Sequence, residues 1–304
     1  MFFLASTVVT ITAVAQDVDT LVVFTAPAAT FSDARSIAVD FNGRIYIVDA
    51  ARSMIFIHDT DGKFIASFGG PGTDEGQFDE PVDIDPTTSL LLNVADAGNS
   101  RIQRFTHDFR FIENLPIPSQ TGSGGDEFPS FRPGAGRVVT PADGFPIAVV
   151  SSRTDDLYVI EDVSQRVLRW DRDRRNRWEI GQNLNLAENV ADPIDLAIAG
   201  DVLLVADRGR EAILVYDLFG FFIRAMAETQ LKNIMAVKVD RDKIFAILPT
   251  RIIRFDMRGR LEQTVHLVMP ENETLVDAAP RNDLVYLLTH RSLYIVPLSR
   301  TISN

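Results

Sequence analysis

The stretch Gly76–Leu115, GQFDEPVDIDPTTSLLLNVADAGNSRIQRFTHDFRFIENL, decides how the chain is read. An apolar run follows Pro81. A second run, Leu90 to Val94, ends at Ala95-Asp96. A Gly-Asn-Ser turn leads to a third, Arg101 to Phe105, and a short His107-Asp108 turn to a fourth, Arg110 to Leu115. Runs of about five residues bounded by Pro, Gly, Asn and Asp mark strands joined by tight turns. The stretch therefore predicts one complete four-stranded antiparallel unit.

The unit returns. Copies run over Arg35–Phe68, Pro81–Leu115, Phe145–Ile180, Pro193–Met226, Ile234–Leu267 and Leu275–Leu298. Their starts lie 41 to 48 residues apart, except for one interval of 64 that carries an insertion. Such a period, with four strands per repeat, predicts propeller blades. Six copies predict an all-β, six-bladed β-propeller filling residues 16–304 as one domain. A seven-bladed ring is the alternative. The last copy has room for only three strands. Thr20–Thr25, TLVVFT, is expected to supply the fourth, closing the ring and removing an exposed sheet edge.

The composition is that of a globular chain: 304 residues, 46% apolar and 24% charged. The formal charge is -12, from 30 basic and 42 acidic residues. An acidic surface repels phosphate backbones, which weighs against a nucleic-acid partner. With no cysteine, disulfides and thiol chemistry are excluded. Residues 1–15 are apolar and end in Ala13-Val14-Ala15, which reads as a signal peptide with an A-x-A cleavage site. A buried N-terminal strand or helix is the other reading. The expectation is an exported protein, periplasmic or extracellular, with no integral membrane segment after processing.

Two connections stand out. Gly69–Glu80, GGPGTDEGQFDE, is Gly-rich, and Glu113–Gly144 is long and rich in Gly, Pro and Ser. Loops of that length are usually functional or without fixed structure. Both lie on the face of the turns between second and third strands, the expected docking face for a protein or small-molecule ligand.

Two sets of acids are candidate sites. The first closes the second strand: Asp49, Asp96, Glu161 and Asp207. Blades five and six depart, with Leu248-Pro249 and Thr289-His290. Such an acid can accept N–H bonds from the following turn, or the four can form an acidic ring on a binding face. The second set lies early in the inner strands. Aligned on Asp83, the six positions read Ala38, Asp83, Ala148, Asp195, Ala236 and Asp277. Asp83, Asp195 and Asp277 then stand in alternate blades, around a pseudo-threefold axis at the channel mouth. Three carboxylates there suit a cation such as Ca²⁺ or a cationic ligand group. The alternative is that each pairs locally with an Arg or a backbone N–H.

The histidines do not cluster, and there is no G-x-S-x-G elbow, H-E-x-x-H or P-loop. The run Arg169–Arg177, RWDRDRRNR, is flanked by Trp170 and Trp178. Its interleaved Asp171 and Asp173 favour a solvated hairpin over a nucleic-acid site.

The opening GQF..P and the segment VADAGNSRIQRF resemble the NHL repeat. That resemblance is clear over Arg35–Leu115 and Pro193–Met226 and fainter elsewhere. It implies a six-bladed propeller, and it implies fold better than function. Proteins of this kind include interaction modules, sensor domains and a few metal-dependent enzymes. The first expectation is a non-catalytic binding module. The alternative is a Ca²⁺-dependent hydrolase resembling gluconolactonase-type propellers, with Asp83, Asp195 and Asp277 at the mouth. That family typically carries a Glu in an E-G-P motif at the first inner strand, where this chain has Arg35-Ser36-Ile37.

Overall fold

The computed structural model describes residues 19–22, 26–88, 90–118, 144–181, 188–227 and 230–298. The expected signal peptide and most of the Glu113–Gly144 loop lie outside them. Among the described residues there is no α-helix, and six sheets account for the fold.

Each sheet is one blade, ordered from the inner strand outward. Blade one is Ala34–Val39, Ile45–Asp49, Met54–His58 and Phe64–Gly69. Blade two is Pro81–Asp85, Leu92–Asp96, Arg101–Phe105 and Phe111–Pro116. Blade three is Pro146–Ser151, Leu157–Glu161, Arg166–Trp170 and Arg177–Ile180. Blade four is Pro193–Ala199, Val202–Asp207, Ala212–Asp217 and Phe222–Met226. Blade five begins with Ala236–Asp240, Lys243–Leu248, Arg251–Asp256 and Leu261–Val268. Blade six begins with Leu275–Arg281, Leu284–Thr289 and Ser292–Pro297. The six inner strands neighbour one another around the full ring, the last against the first.

The N-terminal segment differs from its expected role. Asp19–Val22 pairs in parallel with the outer strand of blade five, as a fifth strand of that sheet. Ala29–Thr30 pairs antiparallel with Ser292–Pro297 as the fourth strand of blade six. The apolar run TLVVFT outweighs Ala29–Thr30 in any pattern search, because a two-residue strand has no period to detect.

Six apolar clusters hold the ring, one between each pair of neighbouring blades. Tyr46, Ile57, Ile84 and Phe105 join blades one and two. Ile37, Ile47, Tyr286 and Leu288 join the last blade to the first. Side chains alternate between the faces of a strand, so both faces of the inner blade strands must be apolar. Ile45–Asp49, buried at every position, illustrates this. Each fully buried Ile, Leu or Phe contributes about 1.5–3 kcal/mol, which lets a cysteine-free chain close a ring of separate sheets.

One irregularity recurs. In blades one, two, three, four and six the pairing of inner and second strands slips after the first residue of the inner strand. A β-bulge re-aims the extra side chain. The extra residues are Arg35, Val82, Ile147, Ile194 and Val276, and all five line the channel mouth together with Met235 of blade five.

Candidate functional site

The bulge sets the register of the site. The residue after it faces the second strand one step before that strand's closing residue: Asp83 pairs with Ala95, Asp195 with Ala206 and Asp277 with Leu288. In blade one the residue so placed is Ser36, opposite Val48, and not Ala38. The expected Ala38 is two residues too late, because Ser36 is neither acidic nor apolar and precedes the apolar run that begins at Ile37. The ring is therefore Ser36, Asp83, Ala148, Asp195, Ala236 and Asp277.

The three aspartates converge, and each reaches into the following blade. Asp83 Oδ2 accepts the Val149 N–H at 2.8 Å. Asp195 Oδ2 accepts that of Val237 at 2.9 Å, and Asp277 Oδ2 that of Ile37 at 3.1 Å. The donors are the residues that follow Ala148, Ala236 and Ser36. One rule thus operates three times around the pseudo-threefold axis. Ser36 adds a side-chain bond, its hydroxyl donating to Asp83 Oδ1 at 2.7 Å.

The cation that these acids share is the protein's own. Lys238, two residues after Ala236, places Nζ 3.3 Å from Asp195 Oδ2 and 3.1 Å from Asp277 Oδ2. Burial alone would discharge this lysine. The carboxylates of Asp195, Asp277 and Asp83 outweigh burial and push its pKa up. Burial likewise raises the carboxyl of Asp83, against the pull of Lys238. It raises Asp195 to about 7, with Lys238 opposing and the neighbouring Asp83 and Asp277 adding repulsion.

This arrangement does not fit a divalent ion. An incoming Ca²⁺ would have to expel the Lys238 ammonium, and its ligand oxygens already accept inter-blade N–H bonds. Among the described residues, no group of three or more His, Asp or Glu side chains is placed to hold a metal jointly. The charge of Lys238 stood in plain view in Ala236–Asp240, AVKVD, as a lone base inside a buried strand. Its phase in the strand matches that of the aspartates.

The Asp–Lys cluster divides the channel. On the mouth side lies a depression of about 80 Å³, walled by Val82, Ile147, Ile194, Met235 and Val276 with Arg35 at one edge. On the far side lies a chamber of about 160 Å³, with apolar walls from all six inner strands and Asp85 and Arg281 among its polar groups. Asp85 is held by the Ser151 N–H at 2.7 Å and hydroxyl at 2.6 Å.

The strand-closing acids lie away from the axis. Asp49 accepts N–H bonds from Ser32, Asp33 and Arg52. Asp207 accepts those of Ala191, Asp192 and Arg210. Glu161 accepts those of Phe145, Val163 and Ser164 and pairs with Arg166. Asp96 accepts the Asp79 N–H and three side-chain donors, from Asn99, Arg101 and Gln103. All four are fully buried, and each ties its turn to the segment that enters the same blade. In blade six Thr289 Oγ1 takes the acid's place, accepting the N–H groups of Arg291 and Ser292.

The Gly-rich connection after blade one is pinned. Arg101 donates to the carbonyls of Thr73, Asp74 and Gln77, and Asn99 to that of Gly72. The histidines are dispersed: His58 meets the Gly62 carbonyl, His107 that of Thr88, and His290 the carboxylate of Asp33. The two tryptophans beside the basic run part company. Trp170 is buried in the cluster between blades two and three, whereas Trp178 is exposed.

No protein-family model matches the chain. Solved structures do resemble it. A streptogramin B lyase superimposes with a TM-score of 0.58 at 12% identity, over 91% of this chain and 86% of that one. A catalytically inactive virginiamycin B lyase from Staphylococcus aureus, solved with quinupristin, gives 0.58 at 13% identity, over 91% and 87%. A candidate gluconolactonase gives 0.60 at 12% identity, over 90% and 93%. At these identities the likeness is one of fold.

Proposed function

We propose that the chain is an exported ligand-docking propeller whose mouth-side face binds without a channel metal. The observation that carries this reading is the position of Lys238, within 3.3 Å of Asp195 and 3.1 Å of Asp277. A hydrolytic site of the gluconolactonase kind would need those oxygens for a metal. Here they neutralise a lysine whose raised pKa keeps it charged, and a charged lysine is neither nucleophile nor base. What remains at the mouth is a small depression whose open surface is mainly polar, with Arg35 and the Asp–Lys cluster inside a rim of Val82, Ile147, Ile194, Met235 and Val276, suited to a small polar ligand group that has an apolar part.

A second reading has one observation in its favour. Three carboxylates do converge, and Asp195, raised to about 7, is tuned for proton transfer near neutral pH. A lyase or lactonase would have to use the cluster in that way.

Thermal-shift screening of small polar and amphipathic molecules, together with a lactone panel in Ca²⁺ and in EDTA, separates the two. The binding reading expects a stabilising ligand that Met235→Asp loses, and no turnover of any lactone. Calcium-dependent turnover that Asp195→Asn abolishes would establish the hydrolase instead.

A further inference from the structure

The hairpins joining third and outer strands lie on the face away from the channel mouth. In blades one, four and five they share one design: Asp59-Thr60-Asp61-Gly62-Lys63, Asp217-Leu218-Phe219-Gly220-Phe221 and Asp256-Met257-Arg258-Gly259-Arg260. In each the leading Asp Oδ1 accepts two backbone N–H bonds. For blade one they come from Asp61 and Lys63, at 3.0 and 2.8 Å. For blade four they come from Phe219 and Phe221, both at 2.9 Å. For blade five they come from Arg258 and Arg260, both at 2.9 Å. The glycines sit at φ +80°, +98° and +82°, a left-handed conformation that glycine adopts without strain.

The turn therefore folds whatever the two outward side chains are. Blades one and five place charges there. Blade four places two phenylalanines, each 71% exposed. Folding does not require them, and exposing them costs apolar hydration. The hairpin is also held rigidly, because the Tyr158 hydroxyl of blade three donates to the Leu218 carbonyl at 2.7 Å.

The neighbours of these rings are basic. The Arg169 guanidinium lies 5.4 Å from the Phe219 ring centre and 4.7 Å from that of Trp178, a cation between two aromatics. In the blade-three hairpin on one side, Arg172 and Arg175 are exposed. In the blade-five hairpin on the other, Arg258 and Arg260 are exposed. Three consecutive tips thus carry arginine, phenylalanine and arginine, with Asp173 exposed between Arg172 and Arg175 and Arg260 paired to Asp256, on a chain whose formal charge is -12.

We propose that this arc docks on an anionic lipid bilayer surface, Phe219 and Phe221 entering the interface and the flanking arginines meeting headgroup phosphates. The tips are convex turns, which suits a deformable planar partner. Aromatic rings between arginines match the apolar and anionic layers of such an interface. The site is independent of the mouth-side ligand and lies on the opposite face.

The test is sedimentation of the full chain with vesicles of pure phosphatidylcholine, or of phosphatidylcholine with about a third phosphatidylglycerol, at low and high salt. Phe219→Asp with Phe221→Lys transplants the blade-one tip, and Arg172→Gln with Arg175→Gln removes charge. Unchanged thermal melts establish that both variants fold. The expected result is binding to the anionic vesicles that weakens with salt and falls about tenfold or more in each variant. Failure of wild type to bind these vesicles overturns the proposal, as does undiminished binding by the phenylalanine variant. Wild type that ignores vesicles but binds an acidic peptide through the same residues also overturns it, in favour of a protein partner.

Discussion

Asp277 and Ile37 are 240 residues apart in sequence and joined by a 3.1 Å hydrogen bond, carboxylate to backbone N–H, across the seam between last and first blades. The same bond joins Asp83 to Val149 and Asp195 to Val237. Three of the six blade interfaces are therefore fastened at the axis by one device, and a lysine ties two of its members together.

The device predicts selective amide protection. The N–H groups of Ile37, Val149 and Val237 exchange slowly in the native protein. Asp277→Ala speeds exchange at Ile37 and leaves Val149 protected, and Asp83→Ala does the reverse. Uniform acceleration at all three in either variant contradicts independent fastenings.

Lys238→Met removes the base and leaves three carboxylates buried without their partner. Breaking a buried ion pair in this way costs roughly 3–5 kcal/mol. Adding Asp195→Asn returns part of the loss, because one uncompensated charge goes with it. Urea unfolding of wild type, the single and the double variant measures both steps.

Asp195 makes stability depend on pH. Its carboxyl is raised to about 7 in the fold, against about 3.9 for a free side chain. Between those values the native state holds a proton that the unfolded chain has released, so stability falls as pH rises through that window. Above pH 7 the dependence from this group levels off. The difference in unfolding free energy between wild type and Asp195→Asn should shrink or reverse from pH 5 to pH 8. A difference that stays flat over this range means that Asp195 is ionised throughout.

Asp207 accepts three backbone N–H bonds, and Asp207→Ala removes their buried acceptor. A hydrogen bond to a charged group contributes roughly 1.5–3 kcal/mol, so the variant should lose several degrees of melting temperature in differential scanning calorimetry. Asp207→Asn keeps one acceptor oxygen and should lose less.

The blades were legible because Pro81–Asp85 and its five relatives repeat a strand-and-turn pattern that needs no tertiary information. The threefold placement of Asp83, Asp195 and Asp277 was legible for the same reason. Three things were not. Ser36, their counterpart in blade one, is neither acidic nor apolar and so carries no mark in the pattern. The two-residue strand Ala29–Thr30 has too little length to carry a period. Lys238 belongs to no metal-ligand pattern, and only the ring brings its ammonium between Asp195 and Asp277. The blade-four hairpin was readable as a turn, but the significance of Phe219 and Phe221 appears only beside the superimposable tips of blades one and five.

Lys238 Nζ stands beside Asp195 and Asp277 where a cation shared by the aspartates would sit. Thermal melts of wild type and Lys238→Met in EDTA and in millimolar Ca²⁺ test it most directly. The same melting temperature is expected for wild type in both, with any calcium-dependent gain confined to Lys238→Met, where the three carboxylates are left uncompensated. A bound ion stabilises by mass action, about 2.7 kcal/mol at a hundredfold excess over its dissociation constant. A gain of that size in wild type, lost on replacing Asp83, Asp195 or Asp277 by Asn, would contradict this placement.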